Sequence, residues 1–280
     1  MSHLLQTYKT AALFLAETEQ LLLRHELENN LVLGIACGMK HSEIPHPDMN
    51  FVTIRKDGSI RLFALTRNSK AILSGAGCDQ TCLELLKTHY RQCGIRLNGV
   101  MGEETLAKSF SELFIVSPAP SRKLILHELM RVNNLKPSPG ELIQAESIHL
   151  ELASTWLYQF FLESNTYPVR SEAECRSEAV MRIERNDLWF WVVDGEVRSM
   201  AGTVRKTHTV AFLGLVYTPA DLRGKGYASS CVQFLSAHLL KTGFQSCGLF
   251  TEKSNPVSNR IYQRIGYVPS VEFDDIQFVF

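Results

Sequence analysis

The chain has 280 residues, with 29 Lys+Arg against 29 Asp+Glu, 45% apolar and 21% charged residues. This describes a soluble globular protein with enough apolar material for a real core, in one large domain or two ordinary ones. It excludes the bulk basic charge expected of a nucleic-acid binder. No apolar run approaches the ~18 residues of a membrane-crossing helix, and the N-terminus lacks the apolar segment of a signal peptide. Seven dispersed cysteines fit a reducing cytoplasm better than a disulfide scaffold. Cys78, Cys82 and Cys93 contain no Cys-x-x-Cys pair, and the nine histidines are scattered, so no metal site is expected.

In chain order, residues 10–28 read as an amphipathic helix, with Leu13, Phe14 and Leu21 set against Glu17 and Glu28. Residues 31–36 read as a strand, and residues 41–47 as a loop. Residues 51–55 and 58–66 form a hairpin around Lys56-Asp57-Gly58. Residues 79–92 read as a helix stopping near Gly94, residues 103–114 as another, and residues 122–132 hold an apolar run suited to a closing strand. Before the 79–92 helix, Ser74-Gly-Ala-Gly-Cys-Asp79 reads as a turn into a helix capped by Asp79.

Residues 136–140, Lys-Pro-Ser-Pro-Gly, form a linker between apolar segments. The chain thus divides into residues 1–136 and 137–280. After the linker, residues 141–145 predict a strand and residues 148–162 a helix with Trp156, Leu157, Phe160 and Phe161 on its apolar face. Ser171-Glu-Ala-Glu174 is a capping box opening a helix to about Arg185. Residues 188–193 and 197–206 flank Asp194-Gly195, a strong hairpin signal.

Residues 210–217 are a continuous apolar run, which suits a strand buried on both faces. A turn at Thr218-Pro219 and a loop with Gly224 and Gly226 lead into an amphipathic helix bearing Cys231, Val232, Leu235 and Leu239. Strand, glycine loop and helix together make an anion site. The first helix amides lack internal partners, the helix dipole adds about half a positive charge, and glycines let the backbone approach the ligand. Arg223 and Lys225 add charge to the same loop. It is neither a Walker A loop, which needs four residues between its glycines and then Lys-Ser/Thr, nor a dinucleotide loop, whose third glycine is replaced by Ser229.

Arg223, Gly226 and Ala228 match Gln/Arg-x-x-Gly-x-Gly/Ala, and downstream Asn255, Asn259, Tyr262 and Gly266-Tyr267 follow in order. On these two motifs the second half of the chain resembles the GNAT superfamily of acetyl-CoA-dependent acetyltransferases. The resemblance implies an α/β fold of α+β type with a mixed sheet, in the element order that residues 137–280 display. It implies that Leu215, Val216 and Tyr217 offer backbone groups to the pantetheine arm. The loop Arg223, Gly224, Lys225, Gly226, Tyr227 and Ala228, with Ser229, would take the pyrophosphate of acetyl-CoA. Asn255 and Asn259 become cofactor contacts, set against an N-cap role for Asn255. Tyr262 becomes the acid that protonates the departing thiolate, set against plain packing beside Ile261 and Ile265.

The general base stays open among Glu184, His208, Glu252 and ordered water. The resemblance implies acetyl transfer to a primary amine of a small molecule or peptide by direct attack in a ternary complex. The alternative is a non-catalytic acyl-CoA-binding or sensing module. No metal, nucleic acid or membrane partner is expected. The acceptor pocket falls around residues 155–205, where core packing explains Trp156, Trp189 and Trp191. The first half echoes the element order of the second, as a degenerate GNAT-like repeat without the glycine signature. A role for it in covering the acceptor and a role in forming a homodimer both stay open.

Overall fold

The computed structural model describes residues 2–41, 49–114, 121–164 and 170–278, so most of the loop expected at 41–47 lies outside the described residues. The chain is of mixed α/β class and forms two compact units. The first holds residues 1–127, 250–256 and 269–280; the second holds residues 128–249 and 257–268. Each half of the chain runs through the same sequence of elements, β-α-α-β-β-β-α-β-α-β.

The first half contains β1 (His3–Tyr8), α1 (Ala11–Leu22), α2 (Asn30–Gly38), β2 (Phe51–Lys56), β3 (Ser59–Arg67), β4 (Lys70–Ser74), α3 (Gln80–Gln92), β5 (Gly99–Glu103), α4 (Glu104–Ser111) and β6 (Ser121–Leu129). Residues 31–36 are helical, contrary to the strand expected there. A short apolar run lacks the periodicity that separates a buried strand from a buried helix. Side-chain bonds favour the helix: Asn29 Nδ2 donates to the Leu22 carbonyl at 2.8 Å and Asn30 Nδ2 to that of Leu27 at 2.7 Å. Three strands escaped the sequence reading. β1 and β5 are short, and β4 hides behind the Asn68-Ser69 turn, where both residues take positive φ.

The second half contains β7 (Glu141–Gln144), α5 (Leu150–Glu163), α6 (Glu172–Glu184), β8 (Leu188–Val193), β9 (Glu196–Lys206), β10 (Val210–Tyr217), α7 (Tyr227–Lys241), β11 (Ser246–Glu252), α8 (Pro256–Ile265) and β12 (Val268–Gln277). The capping box forms as expected: the Ser171 side chain accepts from the Glu174 amide, and the Glu174 carboxylate accepts from that of Ser171. Asp194 and Gly195 both take positive φ, so the β8–β9 hairpin closes as its dipeptide predicts.

In the first unit the strand order is β1-β2-β3-β4-β5-β12-β6. The last strand of the chain therefore closes the first unit's sheet, with Phe273 opposite Glu103 and Gln277 opposite Gly99 in an antiparallel ladder. The core of this unit joins Val52, Leu62, Leu73, Leu86, Val100 and Phe110, and Phe278 packs among them. In the second unit the order is β11-β10-β9-β8-β7. One face packs Leu213, Cys231, Leu235, Leu249, Tyr262 and Ile265; the other packs Trp156, Leu157, Phe190, Met200, Leu215 and Tyr217.

The closure of the first sheet by β12 depends on Gly99. A Cβ there would lie 2.4 Å from the Ile276 carbonyl oxygen and 3.3 Å from the Gln277 Cα. Gly99→Ala is expected to lower stability by about 1–3 kcal/mol through this overpacking. Gly38→Ala, where a Cβ meets nothing within 4 Å, should stay within about 0.5 kcal/mol of the parent. Urea denaturation of both variants checks this, and equal midpoints would contradict it.

Candidate functional site

The site is built on β10. Its parallel register with β11 runs from Val210 opposite Ser246 to Leu213 opposite Leu249 and stops there. On its other edge the antiparallel register with β9 is broken. Gly214 pairs with Gly202 and Tyr217 with Met200, so Leu215 and Val216 together stand opposite Ala201. Two residues against one is a β-bulge. Its first residue, Leu215, has φ of 54°, a left-handed conformation that a bulky side chain rarely adopts. Leu215 and Val216 thus sit past the last β11 pair and outside the β9 ladder. Their amides and carbonyls are the ones expected to meet the pantetheine arm.

Beyond β10 the chain makes a short turn over Ala220–Leu222 and enters the glycine loop. Gly224 and Gly226 have φ of 79° and 82°. Gly226 is the N-cap of α7; it offers no side-chain cap, and the first turn of the helix carries no acid. The orphan amides of Tyr227, Ala228 and Ser229 therefore face no carboxylate of their own helix, which suits an anionic ligand. Lys225 is exposed beside them. Arg223 is engaged differently: its Nη2 lies 2.5 Å from Glu163 Oε2 on α5 and its Nε donates to the Thr218 carbonyl at 2.9 Å. This surface pair fixes the loop more than it holds charge for a ligand.

The predicted linker is not slack. The Ser138 amide donates to Ser230 Oγ at 2.8 Å, and Ser138 Oγ lies 2.9 Å from the same atom. Gln233 Nε2 donates to the Leu135 carbonyl at 3.2 Å, and Trp191 Nε1 to that of Pro139 at 3.0 Å. Gly140 takes φ of 125°, and a Cβ there would sit 2.7 Å from Trp191 Nε1. Residues 135–140 thus strap down the first turns of α7. A Cβ on Gly226 would be 3.8 Å from that of Ser138, which puts this serine beside the glycine loop. The sequence carried no sign of it, because its partners lie 92 and 98 positions away.

Tyr262 lies on α8 and is 9% exposed. It shares one apolar cluster with Leu213 and Leu249, against which Val216 and Tyr227 also pack. The fold thereby brings the predicted acid to the same cluster as the bulge and the start of α7. Burial, with a smaller effect of the Cys231 thiol, holds the phenol well above its ordinary pKa of 10.0, so it stays protonated and able to donate. Its ring meets that of Tyr267 edge-on at 5.9 Å, and the Tyr267 hydroxyl is 2.8 Å from Ser236 Oγ. Tyr267 is therefore a packing residue. Asn259 sits one turn before Tyr262 in α8, and Asn255 precedes Pro256, the first residue of that helix.

Among the base candidates, Glu252 is ion-paired to Arg122 at 2.7 Å. Glu184 ends α6 and His208 lies between β9 and β10, both exposed. The tryptophans are packing residues. Trp191 is fully buried, Trp156 stacks edge-on with Phe190 and Tyr217, and Trp189 lies against His238.

Comparison with known proteins bears on the family and the fold. Residues 150–267 match the Acetyltransferase (GNAT) family. A search of curated proteins finds no match. Among solved structures, a GNAT-family acetyltransferase from Colwellia psychrerythraea is 15% identical with a TM-score of 0.61, covering 99% of this chain and 100% of its own. A GCN5-related N-acetyltransferase from Sphaerobacter thermophilus is 14% identical with a TM-score of 0.62, covering 99% and 97%. A tandem GNAT protein from the clavulanic acid biosynthesis pathway is 11% identical with a TM-score of 0.53, covering 97% and 98%. These likenesses run through both halves, so the first half shares the fold. Residues 150–267 are an acetyltransferase domain of the GNAT family.

Proposed function

We propose that residues 137–280 transfer an acetyl group from acetyl-CoA to a primary amine of a small molecule or peptide, by direct attack in a ternary complex. The family uses acyl-CoA donors. The observation that carries the reading is the left-handed Leu215 in the second bulge of β10. Backbone strain of this kind costs on the order of 1–3 kcal/mol and persists where it serves a site. Here it frees the amides of Leu215 and Val216 from the β9 register. One of them is suited to receive the charge that develops on the thioester carbonyl oxygen.

The uncapped start of α7, with Gly224, Gly226 and the amides up to Ser229, would hold the pyrophosphate. Lys225 supplies the nearest fixed charge, and Asn255 and Asn259 add polar contacts. As the carbon–sulfur bond breaks, the Tyr262 hydroxyl donates its proton to the thiolate. A thiol of ordinary pKa ~8.5 is a poor leaving group unless protonated. The acceptor amine loses its proton to solvent or to an unassigned base. The free thiols of all seven cysteines fit a cytoplasmic setting.

We further infer that residues 1–136 form a repeat that has lost the cofactor loop. The corresponding helix, α3, is capped by its own Asp79, whose side chain accepts from the Cys82 amide. That carboxylate stands where a pyrophosphate would need positive charge. Titration calorimetry with acetyl-CoA should therefore give one site per chain, and two equivalent sites would contradict the assignment.

Two substitutions test the second half. Gly226→Asp and Gly226→Asn both place a residue that tolerates left-handed backbone at φ of 82°. Only the aspartate sets a negative charge against the pyrophosphate. At 100 times its Kd, acetyl-CoA stabilises a binding fold by about 2.7 kcal/mol. That gain should vanish in Gly226→Asp and persist in part in Gly226→Asn. Equal thermal shifts would disprove the phosphate site.

Tyr262→Phe removes only the hydroxyl and keeps the ring against Tyr267. Turnover should fall by about 10²–10⁴-fold, with little change in KM for acetyl-CoA, since the proton is given only in the transition state. A folded variant with parental turnover would leave Tyr262 as a packing residue. A parent that binds acetyl-CoA but acetylates no amine would favour the sensing module.

A further inference from the structure

The first half replaces the open anion site of α7 with a cluster of a different kind. At the start of α3, Asp79 meets His3 of β1, with His3 Nε2 3.1 Å from each carboxylate oxygen. Cys82, in the first turn of α3 and fully buried, turns its thiol to the same point. His3 Nε2, a carboxylate oxygen of Asp79 and Cys82 Sγ all lie within 4.8 Å of one another. The neighbouring Cys78 thiol is turned instead to the Asp79 carbonyl, at 3.7 Å. On its far side Asp79 Oδ2 receives Lys56 Nζ at 2.7 Å.

We propose that His3, Asp79 and Cys82 form a binding site for a thiophilic divalent cation of the zinc class, with water as the fourth ligand, which ties β1 to the start of α3. The donor set is one imidazole, one carboxylate and one thiol, all of them ligands that zinc takes, with the fourth tetrahedral position left to water. The observed spacing fits. Two bonds of ~2.0 Å to a nitrogen and an oxygen 3.1 Å apart enclose roughly 100°, close to a tetrahedral angle.

Charge closes as well. A dication with one thiolate and one carboxylate is neutral, and Lys56 stays bonded to Asp79 Oδ2. Lys56 then plays the outer partner that orients a ligating carboxylate. Binding deprotonates the Cys82 thiol and releases one proton to solvent. An open cavity of about 220 Å³, lined by Gly77, Cys78, Asp79, Gln80 and Glu103, reaches the cluster from outside and gives the ion a way in. The site escapes a sequence search because His3 joins Asp79 and Cys82 from 76 residues before Asp79.

The alternative is that these residues only cap α3 and ion-pair. Titration of the full, metal-stripped chain with Co(II) separates the two. The parent should take up one equivalent with thiolate-to-cobalt charge-transfer absorption and tetrahedral visible bands, and Zn(II) should displace it. Asp79→Asn keeps a good N-cap, so the fold survives. That change, His3→Gln and Cys82→Ser should each weaken cobalt affinity at least tenfold. Cys93→Ser, which alters an exposed cysteine elsewhere on α3's end, should leave the spectrum unchanged. A parent chain without thiolate absorption, or a spectrum that survives Cys82→Ser, overturns the proposal.

Discussion

A buried strand must give its backbone amides partners, and the central strand of the second unit twice departs from regular pairing with β9, the second time at Leu215 and Val216. Leu215 and Val216 leave the β9 register through a bulge whose first residue is left-handed. Glycine usually fills that position. The neighbours hold the unfavourable backbone in place. The Leu215 side chain is buried with Trp156, Leu157, Phe190 and Met200. Its Cδ1 occupies space beside Gly202, where a Cβ would approach to 3.3 Å. On the next strand, Gly248 makes room for the Phe212 ring, which a Cβ would meet at 2.4 Å. A side chain thus anchored cannot relax the bulge without opening a cavity in the core, so the freed amides stay pointed.

The two halves apply the same order of elements to opposite electrostatic ends. Each has a strand, a glycine-containing loop and a long helix. In the second half the helix begins at Gly226 with no side-chain acceptor, and its amides remain available. In the first half the loop ends at Asp79, which takes the Cys82 amide and draws in Lys56 and His3. Those partners hold the Asp79 carboxyl far below the usual carboxylate range, with the Lys56 hydrogen bond the largest cause. An anion offered to this helix would face a permanently ionised carboxylate. The two N-caps thus differ by one side chain, a carboxylate at Asp79 against none at Gly226.

Most of the second half was legible in its sequence, because its signals are local. Asp194-Gly195 closes a hairpin, Ser171 and Glu174 make a capping box, and the 210–217 run with its glycine loop names the central strand. The first half was less legible. Residues 31–36 offered an apolar run with no period, and two asparagine side chains bonded to the preceding turn tipped it to helix. The partner of β5 is β12, some 170 residues later, and no local pattern encodes such a pairing. At the site, residue types pointed to Tyr262 and the glycine loop. They pointed to Arg223 as well, but not to its pairing with Glu163, a contact 60 residues distant.

The strap of residues 135–140 shows how a segment with every mark of a loose linker comes to order a site. Its prolines fix φ and remove two amide donors, so the few remaining polar groups determine where it rests. The Ser138 amide and hydroxyl both go to Ser230, and the carbonyls of Leu135 and Pro139 take Gln233 and Trp191. Ser230 and Gln233 lie one turn apart on α7, so the strap holds the axis of that helix at two points. A dipole and three orphan amides favour an anion only while they point at it, and the effect fades within the first turn. Pinning that turn from the side keeps the amides in line before any ligand arrives, which lowers the ordering cost that binding would otherwise carry.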